Sequence, residues 1–206
     1  PQRNSGFEIS KRKGFISLGK GYERDNSTVF YKGLVVKNAS VNSFESLDDG
    51  YAKDNWRVFY KGSQIQQASV NSFECIGHGY AKDNWRVFYR GKVHKEASVN
   101  SFELLADGYE KDNWRVFYKT KRVKEASVGS FECLADGYAK DNWRVFYRGE
   151  LMKDASVNSF EYLGDGYARD NKQVYYKGKV MHNPRSAIYN KQKTIEKDRP
   201  FSSSRE

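Results

Sequence analysis

A 29-residue repeat constrains this chain more than any other feature of its sequence. The pair Asp-Asn recurs six times at this interval, from Asp25 to Asp170. A Gly-Tyr pair precedes each copy, and the four inner copies continue as Trp-Arg-Val-Phe-Tyr, as in Trp56 to Tyr60. Because so short a unit cannot bury a core of its own, neighbouring copies must stack on one another to fold.

The residues within a copy are typical of short strands joined by tight turns. β-branched and aromatic side chains suit a pleated surface, and we expect Trp56, Val58 and Tyr60 to share one face of a strand. The Asp-Asn pair predicts a turn before this strand, and Lys61-Gly62 predicts another after it. The Ala-Ser-Val-Asn-Ser stretch predicts a helical turn or an irregular bend. We therefore expect three or four strands per copy.

These patterns predict an all-β fold in which tandem repeats form an open, elongated, solenoid-like β-array. A column of Phe, extended by Phe15 and Tyr189, places the array at residues 15–189, between a basic N-terminal tail (1–14) and a basic C-terminal tail (190–206). In the tryptophan column the two terminal copies carry Ser27 and Lys172 instead. Polar terminal copies favour an open stack. A six-bladed β-propeller is the alternative fold.

The large aromatic columns are the candidate packing residues between copies. Loss of Trp in both terminal copies favours this interpretation, in which each residue is covered by the next copy. The predicted inter-repeat packing residues are Trp56, Trp85, Trp114, Trp143, Phe44, Phe73, Phe102, Phe131 and Phe160. The alternative is that the aromatic columns form an exposed ladder for a ligand.

The formal net charge of +10 is concentrated near the two ends of the chain. Residues 1–21 carry +4 and residues 181–206 carry +3, whereas the 159 residues between them also carry only +3. Basic tails can hold phosphates electrostatically or fold onto a partner. The candidate partner-anchoring residues are Lys11, Arg12, Lys13, Lys191, Lys193 and Arg199.

The last copy of the repeat is the one that most resembles a known family. It reads Asp170-Asn171-Lys172-Gln173-Val174-Tyr175-Tyr176, followed by a Lys-Gly turn. This resembles the DKNYY family, whose motif is Asp-Lys-Asn followed by Val-Tyr-Tyr and Lys-Gly. The other copies lack the central Lys and carry Phe for the first Tyr. The resemblance covers the whole array, and it implies a repeat fold but no catalytic residues.

The residues that commonly carry chemistry do not cluster in this sequence. Cys75 and Cys133 share a repeat column two copies apart, too far for a disulfide in an open stack, and are interpreted as small apolar residues. His78, His94 and His182 share no column, and a calcium loop needs more spaced oxygens than one Asp-Asn pair supplies. We therefore expect that the chain is not an enzyme and that it binds no metal and no cofactor.

The leading functional hypothesis is a non-enzymatic scaffold that contacts protein subunits of a larger organellar or cytoskeletal assembly. A carbohydrate or cell-surface binding module is the first alternative, and polyanion binding through the tails is the second. No recognised nucleic-acid module is present, so specific nucleic-acid binding is not expected. No apolar run has the ~20 residues of a transmembrane helix. The basic charge and the absence of an initiator Met favour an organelle interior, after removal of a targeting segment.

Overall fold

Six four-stranded antiparallel sheets follow one another along residues 14–181, the part of the chain that the computed structural model describes. Each sheet pairs its strands in sequence order, and none within these residues closes into a barrel. The all-β tandem-repeat prediction is confirmed, and the sheets are those of an open repeat array. The described residues divide between Phe102 and Glu103 into two compact units of three sheets each.

The first unit contains sheets 1 to 3. Sheet 1 contains β1 (Ile16–Gly19), β2 (Tyr22–Arg24), β3 (Val29–Tyr31) and β4 (Leu34–Val35). Sheet 2 contains β5 (Glu45–Ser46), β6 (Tyr51–Lys53), β7 (Val58–Tyr60) and β8 (Ser63–Ile65). Sheet 3 contains β9 (Glu74–Gly77), β10 (Tyr80–Lys82), β11 (Val87–Tyr89) and β12 (Lys92–Val93).

The second unit contains sheets 4 to 6. Sheet 4 contains β13 (Glu103–Leu104), β14 (Tyr109–Lys111), β15 (Val116–Tyr118) and β16 (Lys121–Arg122). Sheet 5 contains β17 (Glu132–Cys133), β18 (Tyr138–Lys140), β19 (Val145–Tyr147) and β20 (Glu150–Leu151). Sheet 6 contains β21 (Glu161–Gly164), β22 (Tyr167–Arg169), β23 (Val174–Tyr176) and β24 (Lys179–Val180).

The Ala-Ser-Val-Asn-Ser stretch forms a short 3-10 turn at the end of each connector, which is the first of the two predicted conformations, a helical turn. These turns span Val41–Ser43, Val70–Ser72, Val99–Ser101, Val128–Ser130 and Val157–Ser159. Two further 3-10 turns, Asp48–Gly50 and Ala106–Gly108, lie between the first and second strands of sheets 2 and 4. Among the described residues, no helix has the length and apolar character needed to cross a membrane.

Both faces of a middle sheet are buried, because successive strand residues point to opposite faces. In sheet 2, Tyr51 and Val58 pack toward Ala81 and Phe88 of sheet 3. The opposite face, formed by Ala52 and Phe59, packs toward sheet 1. Sheets 4, 5 and 6 are joined in the same manner within the second unit. This stacking supplies the burial that a single 29-residue copy lacks.

A tyrosine hydroxyl joins each sheet to the next within a unit. The Tyr51 hydroxyl donates to the Gly79 carbonyl and accepts from the Gly91 N–H, both at 3.0 Å. The same two hydrogen bonds are formed by Tyr22 in the first unit and by Tyr109 and Tyr138 in the second. Burial raises the pKa of Tyr22 and of Tyr138 to about 12, so each phenol keeps its proton and remains a donor.

The backbone geometry at Gly91, whose N–H donates to the Tyr51 hydroxyl, requires glycine. Gly91 has a φ of 76°, in the left-handed region that L side chains rarely adopt. A Cβ atom at this position would lie 2.7 Å from the Cβ of Tyr60 in the preceding copy. The close approach of the two hairpins therefore excludes any side chain at Gly91.

The fourth copy has a different arrangement of these residues. Thr120 occupies the glycine position with a φ of 71°, and Glu110 occupies a column in which four other copies carry Ala. The Glu110 side chain is fully buried and accepts hydrogen bonds from the N–H groups of Lys119 and Thr120, at 3.1 and 3.3 Å. The carboxylate is thus a partner of the Thr120 N–H, whereas the Lys119 N–H also donates to the Gly108 carbonyl, as the equivalent residues do in other copies.

We predict that Tyr51→Phe destabilises the array. The substitution leaves the Gly91 N–H without its partner, whereas the Gly79 carbonyl keeps the hydrogen bond from the Arg90 N–H. An unsatisfied buried polar group costs about 1–3 kcal/mol. The free energy of unfolding, from urea denaturation followed by circular dichroism, measures the effect. Tyr60→Phe is the matched control, since Tyr60 contacts Lys61 and Tyr51 through its ring, which Phe retains. Equal stability of the two variants would contradict the role of the Tyr51 hydroxyl.

Candidate functional site

The Asp-Asn-Trp-Arg turn connects the second and third strands of each inner sheet. The Asp54 N–H donates to the Arg57 carbonyl at 2.9 Å and closes the turn. Oδ1 of Asp54 accepts from the N–H groups of Trp56 and Arg57, at 2.8 and 2.7 Å. This is the turn chemistry predicted for the pair, in which an Asp side chain bonds the backbone that follows it.

The same aspartate ties the turn to the connector from the preceding sheet. Oδ2 of Asp54 accepts from the Ser40 N–H at 2.8 Å, and the Arg57 guanidinium donates to the Asn38 carbonyl at 2.9 Å. Asp54 is only 2% exposed, so its carboxylate is buried among these backbone donors. The backbone of the turn is consequently fixed by hydrogen bonds within the turn and by hydrogen bonds to the preceding connector.

The last copy shows how this environment affects the aspartate. Burial raises the pKa of Asp170, but hydrogen bonds from backbone N–H groups, including that of Ser156, more than offset it. The pKa of Asp170 therefore lies below its ordinary value, and the carboxylate stays ionised at neutral pH. Its stabilising contribution is present above the ordinary carboxyl pKa and is lost as the pH falls below it.

The prediction that the tryptophans pack between repeats is wrong. Trp56, Trp85, Trp114 and Trp143 are exposed by 73, 74, 74 and 70%. The side chain of Asp54 extends the turn through Arg57, so the third strand begins only at Val58 and Trp56 lies before it. Val58 and Tyr60 share a face of that strand as expected, but Trp56 does not belong to it, and its indole projects into solvent.

The phenylalanine column lies between successive sheets. The Phe44 ring is 5.3 Å from that of Tyr22 and 5.5 Å from that of Phe59, so it bridges sheets 1 and 2. Each of the other Phe residues contacts a ring of an adjoining sheet in its own unit: Phe73, Phe102, Phe131 and Phe160. The inter-repeat core therefore contains Phe and Tyr rings but not the tryptophans.

The opposite end of the sheets carries a repeated tyrosine–cation pair. The Lys61 ammonium lies 5.4 Å from the centre of the Tyr60 ring, and the Arg90 guanidinium lies 5.1 Å from that of Tyr89. In the second unit Arg148 lies over Tyr147 in the same manner. These tyrosines are half-buried beside the cations. Apart from Tyr176 of the last copy, the exposed aromatic side chains of the described repeats are the four tryptophans of the turns.

The terminal copies retain the turn without the indole. In the first copy the N–H groups of Ser27 and Thr28 donate to Asp25 Oδ1, at 2.8 and 2.7 Å. In the last copy the N–H groups of Lys172 and Gln173 donate to Asp170 in the same way. The turn therefore forms independently of its third residue, and nothing in the packing explains the loss of Trp in these two copies.

The cysteines and the other potential metal ligands are separate from this surface. Cys75 and Cys133 are free and half-buried, and burial raises the pKa of each thiol to about 11. Over residues 14–181, no group of three His, Cys, Asp or Glu side chains is placed to hold a metal ion. The candidate tail residues lie outside the described residues: Lys11, Arg12, Lys13, Lys191, Lys193 and Arg199.

We predict that the tryptophan emission is that of indoles in water. All four are at least 70% exposed, so the emission maximum should lie near that of the free amino acid and be readily quenched by acrylamide. Fluorescence of the native protein and of the urea-unfolded protein provides the comparison. Blue-shifted emission that resists the quencher would show that the indoles are buried.

Comparison with known proteins gives one positive result. The model of the DKNYY family matches residues 7–92 and residues 51–179. No curated protein and no solved structure matches the chain. The two matches overlap, as expected for tandem repeats, and together they include nearly all of the described sheets. The chain belongs to the DKNYY family.

Proposed function

We propose that this chain is a non-enzymatic scaffold that contacts protein subunits of a larger organellar or cytoskeletal assembly through its tryptophan-bearing turns. The observation that carries the proposal is the exposure of four indoles in turns fixed by buried aspartates. Large exposed aromatic side chains are costly for a monomer to leave in water and are frequent anchors at protein interfaces.

The rigidity of these turns supports a binding role. Asp83 repeats the contacts of Asp54, accepting from the N–H groups of Trp85 and Arg86 and from that of Ser69. A backbone segment that is ordered before binding loses less conformational entropy when a partner covers the residue that it presents. Each unit presents two such turns, so one partner can engage several equivalent contacts and bind more tightly than through one.

We predict that replacing the four tryptophans by Ser releases the chain from its assembly. Ser is the residue that the first copy carries at this position, so the turn should form and the unfolding midpoint should not change. The measurement is native size separation of the tagged full chain from its own cells, with mass spectrometry of co-migrating proteins. The unsubstituted chain should migrate with a large complex, and the variant should migrate as a free chain.

Two results would contradict this proposal. An unsubstituted chain that migrates alone would show that it is not part of a stable assembly. A variant that stays in the complex would show that other surfaces hold it there. The variant's circular dichroism spectrum serves as the control for folding.

Carbohydrate binding is the second candidate function, and the exposed indoles are the specific observation in its favour. Each lies beside an exposed Asn side chain, as Trp56 does beside Asn55. An indole offers a flat apolar face to a sugar ring, and an amide can bond its hydroxyl groups. The buried tyrosines of the Gly-Tyr column cannot take part, so any such platform consists of the turns alone.

We predict, for this second function, that neutral polysaccharides bind the chain through the tryptophans. Titration with soluble β-glucan, mannan and dextran should shift the tryptophan emission for at least one of them, with saturation. The Trp→Ser variant should lose retention on the corresponding immobilised polysaccharide. The carbohydrate hypothesis fails if no polysaccharide is retained or if retention does not depend on the tryptophans.

A further inference from the structure

A groove with a basic lining lies on the second unit, along the fourth strands of sheets 4 and 5. Its volume is about 380 Å³, and its apolar lining includes Tyr118 and Leu151. Two carboxylates, those of Glu125 and Glu150, belong to the lining. Five cationic residues complete it: Lys121, Arg122, Lys124, Arg148 and Lys153. We call this set of residues the basic groove.

The net charge of the repeats is concentrated in the basic groove. Residues 22–180 carry 25 basic and 22 acidic side chains, a net charge of +3. The five cations and two carboxylates of the groove also amount to +3, so the other charges within residues 22–180 sum to zero. Within residues 14–181, no carboxylate forms a salt bridge with Lys121, Arg122 or Lys124.

The fold does not require these cations. Lys121 and Arg122 pair with Tyr118 and Phe117 across sheet 4. In sheet 2 the same register joins Ser63 to Tyr60 and Gln64 to Phe59, and Gln66 occupies the position of Lys124. An uncharged copy therefore forms the same sheet. Lys121, Arg122 and Lys124 are therefore not needed for folding and are available to bind a ligand.

The basic groove leads to one of the tryptophan-bearing turns. The carboxylate of Glu125 pairs with Nε of Arg144 at 3.1 Å, and its carbonyl accepts from Nη1 of Arg144 at 3.1 Å. Arg144 follows Trp143 in the turn, and that indole is 70% exposed. A row of cations and a flat aromatic surface are thus adjacent on the same unit. Glu125 therefore connects the groove to this turn through an ion pair and a hydrogen bond with Arg144.

We propose that the basic groove binds an acidic polysaccharide, with a sugar ring on Trp143 and its sulfate or carboxylate groups on Lys121, Arg122 and Lys124. The inference rests on the carbohydrate-binding function proposed above and adds the chemical class of the ligand. Charge-assisted hydrogen bonds from Lys and Arg are the strong contacts for such groups. We favour the polysaccharide over a nucleic acid because the sequence contains no recognised nucleic-acid module.

The test measures binding of dextran sulfate and of neutral dextran to the full chain. The variant Lys121→Ser, Arg122→Gln, Lys124→Gln installs the residues that the second copy carries naturally. The control Lys37→Gln, Lys92→Ser, Lys95→Gln removes three exposed cations from matching columns of the first unit. Both variants retain the same tails, so any binding by the tails cancels in the comparison.

We expect the groove variant to weaken dextran sulfate binding by about tenfold or more, because three charge-assisted contacts are lost. The control should change the affinity by less than about twofold, since its cations lie outside the site. Trp143→Ser should weaken binding of dextran sulfate, and any neutral dextran binding should be insensitive to the groove variant.

Three outcomes would overturn the proposal. Equal losses in the groove variant and the control would assign the effect to diffuse charge. Tighter, groove-dependent binding of polyuridylate would make the groove a nucleic-acid site. Tryptophan-dependent binding of neutral dextran, with no effect of the groove variant on dextran sulfate, would refute the groove while leaving the carbohydrate function intact.

Discussion

The hydrogen bonds of one tyrosine hydroxyl hold neighbouring sheets of each unit together. The hydroxyl of Tyr51 reaches a glycine carbonyl on one hairpin and a glycine N–H on another. Both partners belong to the next copy, so the contact fixes the position of two hairpins at once. The ring of the same tyrosine packs in the apolar layer between the sheets. One residue type therefore satisfies buried backbone groups and supplies burial, which lets a sheet of four very short strands be stable in a stack.

The tryptophan-bearing turns lie at the far end of the strands from these contacts. Their aspartates are buried in backbone hydrogen bonds, so the turn has the same geometry whether its third residue is Trp, Ser or Lys. The stability of the turn and the chemistry of its exposed side chain are consequently separate. Such separation allows single copies to change their surface, as the cations of the fourth copy do, without a change in the sheet beneath.

Much of the fold follows from the repeat itself. The period, the Asp-Asn and Lys-Gly turns and the β-branched and aromatic runs predict short strands in tandem, and this prediction is confirmed. The candidate site was predicted less well. Simple alternation along Trp56 to Tyr60 assigned Trp56 to a strand, whereas a four-residue turn closed by the Asp54 side chain places it in solvent. The Asp-Asn turn pair directly before Trp56 is the signal for this, because an Asp side chain in such a turn bonds backbone N–H groups two and three residues on.

The sequence by itself determined the unit, its strands and its turns, because these depend on residues that are close along the chain. The stacking of successive copies decided which aromatic columns are buried, since a side chain is buried by residues of the next copy, 29 residues later in the sequence. The tertiary structure also decided the hydrogen bond between the Thr120 N–H and the Glu110 carboxylate, because two paired strands bring these residues together. The basic groove arises in the same way. Its cations come from two copies, and only the stacking of sheets 4 and 5 places them along one surface.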